Sequence, residues 1–457
     1  MATKFTDTTL LHDAYYGTGL FWKGTGLRRH PRESEANYNE RKELAYYLNY
    51  TGPIVNASVD PIFVNEIKRE HTDDAMFLGF IGDVDRLGTD LQDYIRRVAT
   101  LAKLYGVVYI VVNNTDKLAT DRAKNIELRN YPFVTEVLPQ EVTRWDFDET
   151  GKLSMFEYTA QVESSDGKVR QQRCRWTTTE WSITGEDGQV SQSGENTIGE
   201  IPIVQWFGRS TQPTVVKPPS EFISIAQANY HLYQLCSWHT QLLRDQAFSI
   251  LTVPEMGSNE ITVGTNNVLT YPPESSHVPA FISPDAGPAN MLTDQIDRMI
   301  NEMYRMSGIN SVVGVEQSKS GVAKQWDFER TNQRLADFAI QCENAEKRIV
   351  SLFEKWTGAN VEYSCEYPRD FKINDISESL TQAQQALDLG FSSKTFNLEV
   401  AKKVISAYMA NIEPDIYDAI VADIETSENE LEQMRAAMQP AMPDGDMNED
   451  TDNGQNN

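Results

Sequence analysis

The sequence predicts an α+β fold, in which a β-rich region precedes a mainly helical one. Residues 131–209 contain alternating or aromatic runs separated by turn pairs such as Asp166-Gly167 and Asp187-Gly188, a pattern typical of antiparallel hairpins. Residues 321–357 carry apolar side chains at heptad spacing, which indicates one very long helix. A further helical pattern at 220–247 has apolar residues on more than one face.

Composition limits the classes of function. The chain has 457 residues, of which 40% are hydrophobic, enough for a sizeable core. Its 41 basic and 67 acidic residues give a net charge of −26. Residues 413–457 hold thirteen acidic residues and one basic residue, so −12 lies there and −14 in the remainder. Such a chain is a poor candidate for wrapping nucleic acid on a basic patch, although this does not exclude nucleic acid passing by.

No segment predicts a membrane span or a secretion signal. The longest apolar run, Val98 to Val112, is interrupted by Lys103 and Gly106 and falls short of the roughly 18 residues that a span requires. The first seven residues lack the apolar centre of a signal peptide. We therefore expect synthesis in the cytoplasm and no membrane partner.

The sequence contains no recognisable metal or catalytic motif. The four cysteines lie far apart, and we expect buried free thiols. A zinc site formed by Cys236 with His231 and His239 matches no compact ligand spacing, so we expect no metal and no other cofactor.

An enzyme reading would use Asp83, Asp85 and Asp90 as metal ligands of a nuclease or phosphohydrolase. No histidine, nucleophile elbow or basic phosphate clamp accompanies these aspartates. We therefore expect that the protein is not an enzyme.

The first half of the chain predicts a helix, then a strand and then a meander. After mixed segments up to residue 90, Leu91, Ile95 and Val98 recur at helical spacing, and Gly106 can end that helix. The β-branched run 107–112 follows as a buried strand. Residues 131–209 then predict an antiparallel meander, as a small barrel or a sandwich.

The second half is mainly helical. Ser220 can cap the helix at 220–247, and Pro288 opens a second helix that ends at Gly308. Short β runs lie between the two helices. Turn residues follow at 310–320, then the long helix at 321–357. The remaining patterns are three helices at about 377–389, 394–410 and 413–437, and an acidic tail whose composition predicts disorder.

This order of elements resembles the portal proteins of tailed bacteriophages. The resemblance covers about residues 40–435, and none of its motifs is a catalytic fingerprint. The stretches that carry it are Leu104 to Val112, Gly199 to Val204, Gln227 to Tyr233, Pro254 to Gly257 and Ser320 to Ala323.

The resemblance implies a division of the chain into named regions. These are a wing at 1–217 with its β meander at about 131–209, stem helices at 218–247 and 288–309 around a small α/β clip at 248–287, a tunnel loop at 310–320, a long channel-side helix at 321–357, a helical C-terminal crown at 358–437 and a disordered acidic tail at 438–457. The family pattern has a longer C-terminal region than this chain does.

The resemblance also implies a function. Portal subunits form a ring, usually a dodecamer, at one capsid vertex of the virion, and double-stranded DNA passes through it during packaging and ejection. The implied partners are the terminase large subunit, the major capsid and scaffolding proteins, and a head-completion adaptor. The alternative from the same class is another ring-forming virion protein.

Two sets of residues are candidates for function under this resemblance. The DNA-facing set is Asn310, Ser311, Val312, Val313, Gly314, Val315, Lys319 and Lys324. The set for inter-subunit or long-helix packing is Phe328, Leu335, Phe338 and Ile349. The two lysines could touch phosphates transiently or make ordinary pairs with residues such as Glu316 and Asp327. The long-helix residues could equally pack within a single chain.

Overall fold

The computed structural model has the predicted α+β fold. It describes residues 6–114, 121–163, 169–246, 250–254, 268–272, 274, 280–282, 285–308, 321–371, 384–385, 393–409, 416–424 and 426. The described chain forms two units, one within 1–371 and one within 372–457.

The described helices and strands are as follows. The helices are α1 (Asp7–Tyr16), α2 (Glu35–Glu43), α3 (Thr51–Asn56), α4 (Ala75–Gly82), α5 (Leu91–Tyr105), α6 (Arg122–Glu127), α7 (Ile223–Gln246), α8 (Gly287–Ser307), α9 (Gly321–Thr357) and α10 (Lys394–Tyr408). The strands are β1 (Lys68–Glu70), β2 (Val107–Asn113), β3 (Phe133–Val137), β4 (Val142–Phe147), β5 (Leu153–Glu163), β6 (Val169–Thr177), β7 (Glu180–Thr184), β8 (Val190–Glu195), β9 (Ile203–Phe207), β10 (Ile250–Pro254), β11 (Val268–Tyr271), β12 (Ala280–Ile282) and β13 (Ser364–Glu366).

Helix α5 delivers the chain into the central strand β2. Asp90 caps the helix, since its Oδ1 accepts a hydrogen bond from the Asp93 amide at 2.8 Å. Gly106 ends it with a φ of 88°. A Cβ on this glycine would also lie 3.0 Å from the Pro218 carbonyl oxygen, so the turn requires both the conformational freedom and the small size of glycine.

Strand β2 is buried on both faces and separates two cores. Val108, Ile110 and Val112 point into a core shared with α4, α5 and α9, which we call the helical core. Val107, Tyr109 and Val111 point into a core shared with the meander, the sheet core. This alternation is the period-2 geometry of a strand. Because both faces are apolar, β2 reads in the sequence as an unbroken hydrophobic run.

The β region is smaller than the 131–209 meander that the sequence predicts. The meander itself is β4-β5-β6-β7-β8, with every neighbouring pair antiparallel. The two outer runs, β3 and β9, instead pair with β2 in a separate three-stranded sheet. The two sheets share the sheet core, which fits the sandwich alternative and not a closed barrel. Pattern alone could not separate them, because all these strands alternate in the same way.

A third core forms around the first half of α7. Residues of α1, α3, α7 and the end of α8 are buried there, and we call it the amino-terminal core. It includes Leu10, Ile54, Ile225 and Met303. The amino-terminal helices therefore pack on the first half of the predicted stem helix.

The segment that follows the long helix packs with the first unit. Residues 358–371 belong to the first unit, which ends at Phe371. Strand β13 pairs with β1, and Val361, Cys365 and Tyr367 are buried in the helical core. The pairing joins segments almost three hundred residues apart, and neither three-residue strand carries a recognisable pattern.

Candidate functional site

The helix pair α7 and α8 brackets a small β module. Strand β10 pairs in parallel with β11 and antiparallel with β12. The strands lie between the two helices in sequence, and α8 packs back against α7. Thr293 Oγ1 on α8 lies 3.2 Å from His239 Nε2 on α7. The arrangement is a helical hairpin with a β module between its arms.

One half of this hairpin, which we call the rooted half, is buried against the rest of the chain, and the other half has no buried residue. On α7, nine residues between Ile225 and Ser237 are buried, and none of residues 238–246 is. On α8, the buried residues are Met303, Tyr304 and Ser307 near its C-terminal end, and none of residues 287–302 is buried. We call residues 238–246 and 287–302 the distal hairpin.

The distal hairpin exposes large apolar side chains. Met291 is 73% exposed, Leu243 48% and Trp238 39%. Scattered exposed apolar residues are normal on a monomer, but these three are all carried by the same two helices. Such a surface is typical of a protein interface.

Two polar anchors hold the rooted half in place, and neither was singled out in the sequence. The Asn229 side chain is fully buried on α7, and its Oδ1 accepts hydrogen bonds from Tyr47 Oη and from the amides of Tyr50 and Thr51, at 2.9, 3.0 and 3.1 Å. Its Nδ2 donates to the Leu48 carbonyl at 2.9 Å. One amide thus fixes the segment that leads into α3.

The second anchor is Arg41, a residue that is only 1% exposed. Its Nε and Nη2 donate to the two carboxylate oxygens of Glu33, each at 2.8 Å. Its Nη1 donates to Ser237 Oγ on α7 at 3.1 Å, and Nη2 also donates to the Arg28 carbonyl. The Arg41 guanidinium holds the pKa of Glu33 below its ordinary value. The sequence does not single out Arg41, because its partner on α7, Ser237, lies 196 residues away in the chain.

The predicted DNA-facing loop lies outside the described residues. This applies to Asn310, Ser311, Val312, Val313, Gly314, Val315 and Lys319. Lys324 is on α9, but its side chain and that of Phe328 are also outside what the structure describes. The DNA-facing role of these residues therefore stays a prediction.

Side chains of α9 hold the end of α8, where the 309–320 connection begins. Gly308, with a φ of 70°, ends α8. Arg334 Nη1 donates to the Ser307 carbonyl at 2.8 Å, and Thr331 Oγ1 donates to the Gly308 carbonyl at 2.9 Å. Side chains of α9 therefore satisfy the last carbonyls of α8, which a helix leaves unpaired.

The three described residues of the long-helix set are buried by the chain itself. Phe338 and Ile349 belong to the helical core and are 1% and 0% exposed. Leu335 is 6% exposed. The alternative in which α9 packs within one chain accounts for all three, and an inter-subunit contact is not needed to cover them.

The candidate metal ligands of the enzyme reading make protein contacts. Asp83 pairs with Arg129 and accepts a hydrogen bond from the Gly88 amide at 2.9 Å. Asp85 accepts from the Leu87 amide at 2.9 Å, and Asp90 caps α5. Among the described residues, no group of three or more His, Cys, Asp or Glu side chains is arranged to hold a metal.

Two further sequence expectations can be checked in the described part of the chain. All four cysteines are free; Cys236, Cys342 and Cys365 are buried, as predicted, and Cys174 is half-buried. None of the described helices is long and apolar enough to cross a membrane.

Comparisons with known proteins give likenesses to solved structures. No family model and no curated protein matches the chain. Among solved structures, the chain is similar to one from the "neck of empty GTA particle computed with C6 symmetry". That likeness has a TM-score of 0.45 and 10% sequence identity, and covers 88% of this chain and 95% of the other. Similarity at this level assigns no function, which has to be argued from the residues.

Proposed function

We propose that the chain is a portal-type subunit, a ring-forming structural protein of a tailed-phage-like virion that serves as a conduit for double-stranded DNA. The observation that carries the proposal is the distal hairpin. A chain whose first unit is otherwise well packed extends two helices with no buried residue on 238–246 and 287–302. A ring of identical subunits supplies the missing neighbours, because a head-to-tail interface closes when its rotation permits.

The order of elements supports the same proposal. An α+β body leads into a rooted helix, a β module, a returning helix and then α9, whose 37 residues span about 55 Å at about 1.5 Å per residue. In the portal scheme, these are wing, stem, clip, stem and channel-side helix. The proposed role is structural and involves no catalysis.

The acidic composition also fits a conduit. Duplex DNA carries one negative charge per about 1.7 Å of axis, and a basic lining would hold it through counterion release. A chain with a net charge of −26 repels the duplex instead. In the proposed assembly, Lys319 of the tunnel loop and Lys324 at the start of α9 touch passing phosphates weakly. Terminase, capsid, scaffolding and adaptor proteins are the proposed partners of the ring, and the capsid vertex is its proposed location.

The ring is tested with a variant of the distal hairpin and a matched control. We expect the unmodified chain to form closed rings with a central hole by light scattering and negative-stain imaging. Trp238→Asp with Met291→Asp places two charges on exposed apolar positions and should yield monomers, because the charges cannot be buried at an interface. The control, Ser224→Asp with Gln227→Asp, adds equal charge to exposed polar positions of α7 outside the distal hairpin and should keep the rings.

The control should unfold at the temperature of the unmodified chain, since neither of its positions is buried. The Trp238 and Met291 variant should keep the circular dichroism of the unmodified chain but unfold at a lower temperature, because subunit association stabilises the folded chain. Monomers of the unmodified chain at micromolar concentration across a range of salt would contradict the proposal. Rings of unchanged size in the Trp238 and Met291 variant would show that the distal hairpin is not the interface.

A further inference from the structure

A cavity of about 210 Å³ lies beside the end of α8 and is lined by three basic side chains. Lys103 comes from α5, Arg209 from the segment after β9, and Arg334 from α9. Three separate elements thus bring cations to one cavity in a chain with 26 more acidic than basic residues. Convergence of like charges costs energy unless something compensates it.

Protein groups compensate only part of this charge. Lys103 is 6% exposed and binds Glu221 Oε1 at 2.5 Å and the Gly208 carbonyl at 3.0 Å. Glu221 is the one carboxylate among the described residues that line the cavity. The described lining residues, three cations and one anion, have a net charge of +2.

The two arginines retain donors. Arg334 uses Nη1 for the Ser307 carbonyl, and a guanidinium has five N–H donors. In the part of the chain that the structure describes, the Arg209 guanidinium has no hydrogen bond or ion pair, and neither arginine pairs with a carboxylate. Arg209 and Arg334 are both exposed at the residue level, so a solute can reach them.

The helix ends at the cavity do not cancel the positive charge. Phe222 and Ile225, beside the first turn of α7, line it together with Ser307 and Gly308 at the end of α8. The start of a helix is partially positive and its end partially negative. The carbonyls of Ser307 and Gly308 already accept hydrogen bonds from Arg334 and Thr331, so the negative end of α8 is offset. At the start of α7, Ser220 Oγ accepts from the Phe222 amide, so the positive charge of the cavity comes from its basic side chains.

We propose that this cavity binds a small tetrahedral oxyanion of the phosphate type. An ammonium group and two guanidinium groups approach from three elements, and an ion with oxygens in several directions can accept from all of them, whereas a planar carboxylate has only two oxygens. The cavity is large enough for one such ion with bridging water and too small to admit a duplex. The inference is independent of ring formation.

Bound phosphate would link α5, the segment after β9 and α9 next to Gly308. Gly308 is the last described residue before the 309–320 connection. The anion would therefore tie the root of that connection to the body of the subunit. A ligand that binds only the folded chain also stabilises it by mass action.

The test is isothermal titration of the full chain with sodium phosphate, with sodium chloride holding ionic strength constant. We expect one phosphate per chain and a rise in the unfolding temperature with phosphate concentration. Arg209→Gln should weaken the binding about tenfold or more, the effect of losing one charged hydrogen bond of about 1.5–3 kcal/mol. Arg144→Gln removes the same charge from an exposed position on β4 and should leave binding unchanged.

A second arm separates the two sources of phosphate. A short duplex with 5′-phosphate ends is compared with the same duplex carrying 5′-hydroxyl ends. If both duplexes bind equally weakly while inorganic phosphate binds saturably, the ligand of the cavity is the free ion. Tighter binding of the phosphorylated duplex, lost in Arg209→Gln, identifies a DNA end. Absence of saturable phosphate binding, or equal binding by Arg209→Gln and the unmodified chain, overturns the proposal.

Discussion

The buried carboxamide of Asn229 joins α7 to the segment that leads into α3. Its Oδ1 accepts from two backbone amides, the Tyr47 hydroxyl and Thr51 Oγ1. The sequence places Asn229 in a helix, where asparagine is usually exposed or at an end. Its partners lie about 180 residues away, so no local pattern could have identified it.

We expect Asn229→Ala to destabilise the chain by about 3 kcal/mol or more. The truncation leaves the amides of Tyr50 and Thr51 buried without an acceptor, and each such group costs about 1–3 kcal/mol. Urea unfolding of the chain measures the loss. Gln227→Ala, at an exposed position on the same helix, should change stability by no more than about 0.5 kcal/mol. Equal losses in the two variants would contradict the role assigned to Asn229.

At the scale of elements, long periodic patterns were predictive and long-range pairing was not. The heptad pattern predicts a helix at 321–357, and α9 spans Gly321–Thr357. The helices predicted at 220–247 and from Pro288 to Gly308 correspond to α7 and α8. By contrast, the division of the β region into two sheets and the β1–β13 pair depend on contacts between distant segments, which periodicity does not encode. For the same reason, the basic cavity could not be predicted, since its three cations lie on three elements.

A buried charge fastens the β1–β13 pair to α9. Glu346 on α9 is fully buried and accepts from Arg69 Nε at 2.6 Å and Nη2 at 3.2 Å. The hydroxyls of Tyr363 and Tyr367 also donate to its carboxylate. Burial, together with the charge of Glu346, raises the pKa of both tyrosines, so both hydroxyls stay protonated donors at neutral pH.

We expect Glu346→Gln to cost about 3–5 kcal/mol of stability, because removing one partner leaves the other charge, on Arg69, buried and uncompensated. Glu343→Gln is the matched control on the same helix. Glu343 pairs with Lys347 at 2.6 Å and with Arg369, and both cations are more than 40% exposed, so its loss should cost at most about 1 kcal/mol. Guanidinium unfolding measures the loss of stability in both variants. A smaller loss in Glu346→Gln than in Glu343→Gln would refute the role assigned to Glu346.

At the scale of the whole molecule, the described hydrophobic cores all lie in the first unit. The helical, amino-terminal and sheet cores contain no residue beyond Phe371, which is also where the first unit ends. Residues 372–457 contain five basic and seventeen acidic residues, a net charge of −12. Net stability is the small remainder of core burial over conformational entropy, so a segment outside these cores should contribute little to the folding of the first unit.

We therefore expect a chain ending at Phe371 to fold and to unfold at nearly the same urea concentration as the full chain. The slope of its unfolding free energy against urea concentration reports the surface area exposed on unfolding. This slope should be smaller than that of the full chain only if residues 372–457 bury surface in the same cooperative transition. A chain ending at Phe371 keeps β13 and the core residues Val361, Cys365 and Tyr367. A chain ending at Thr357 lacks all of these and should be less stable, so it serves as the comparison. Aggregation of the chain ending at Phe371, or a midpoint as low as that of the shorter one, would show that the last 86 residues take part in folding the first unit.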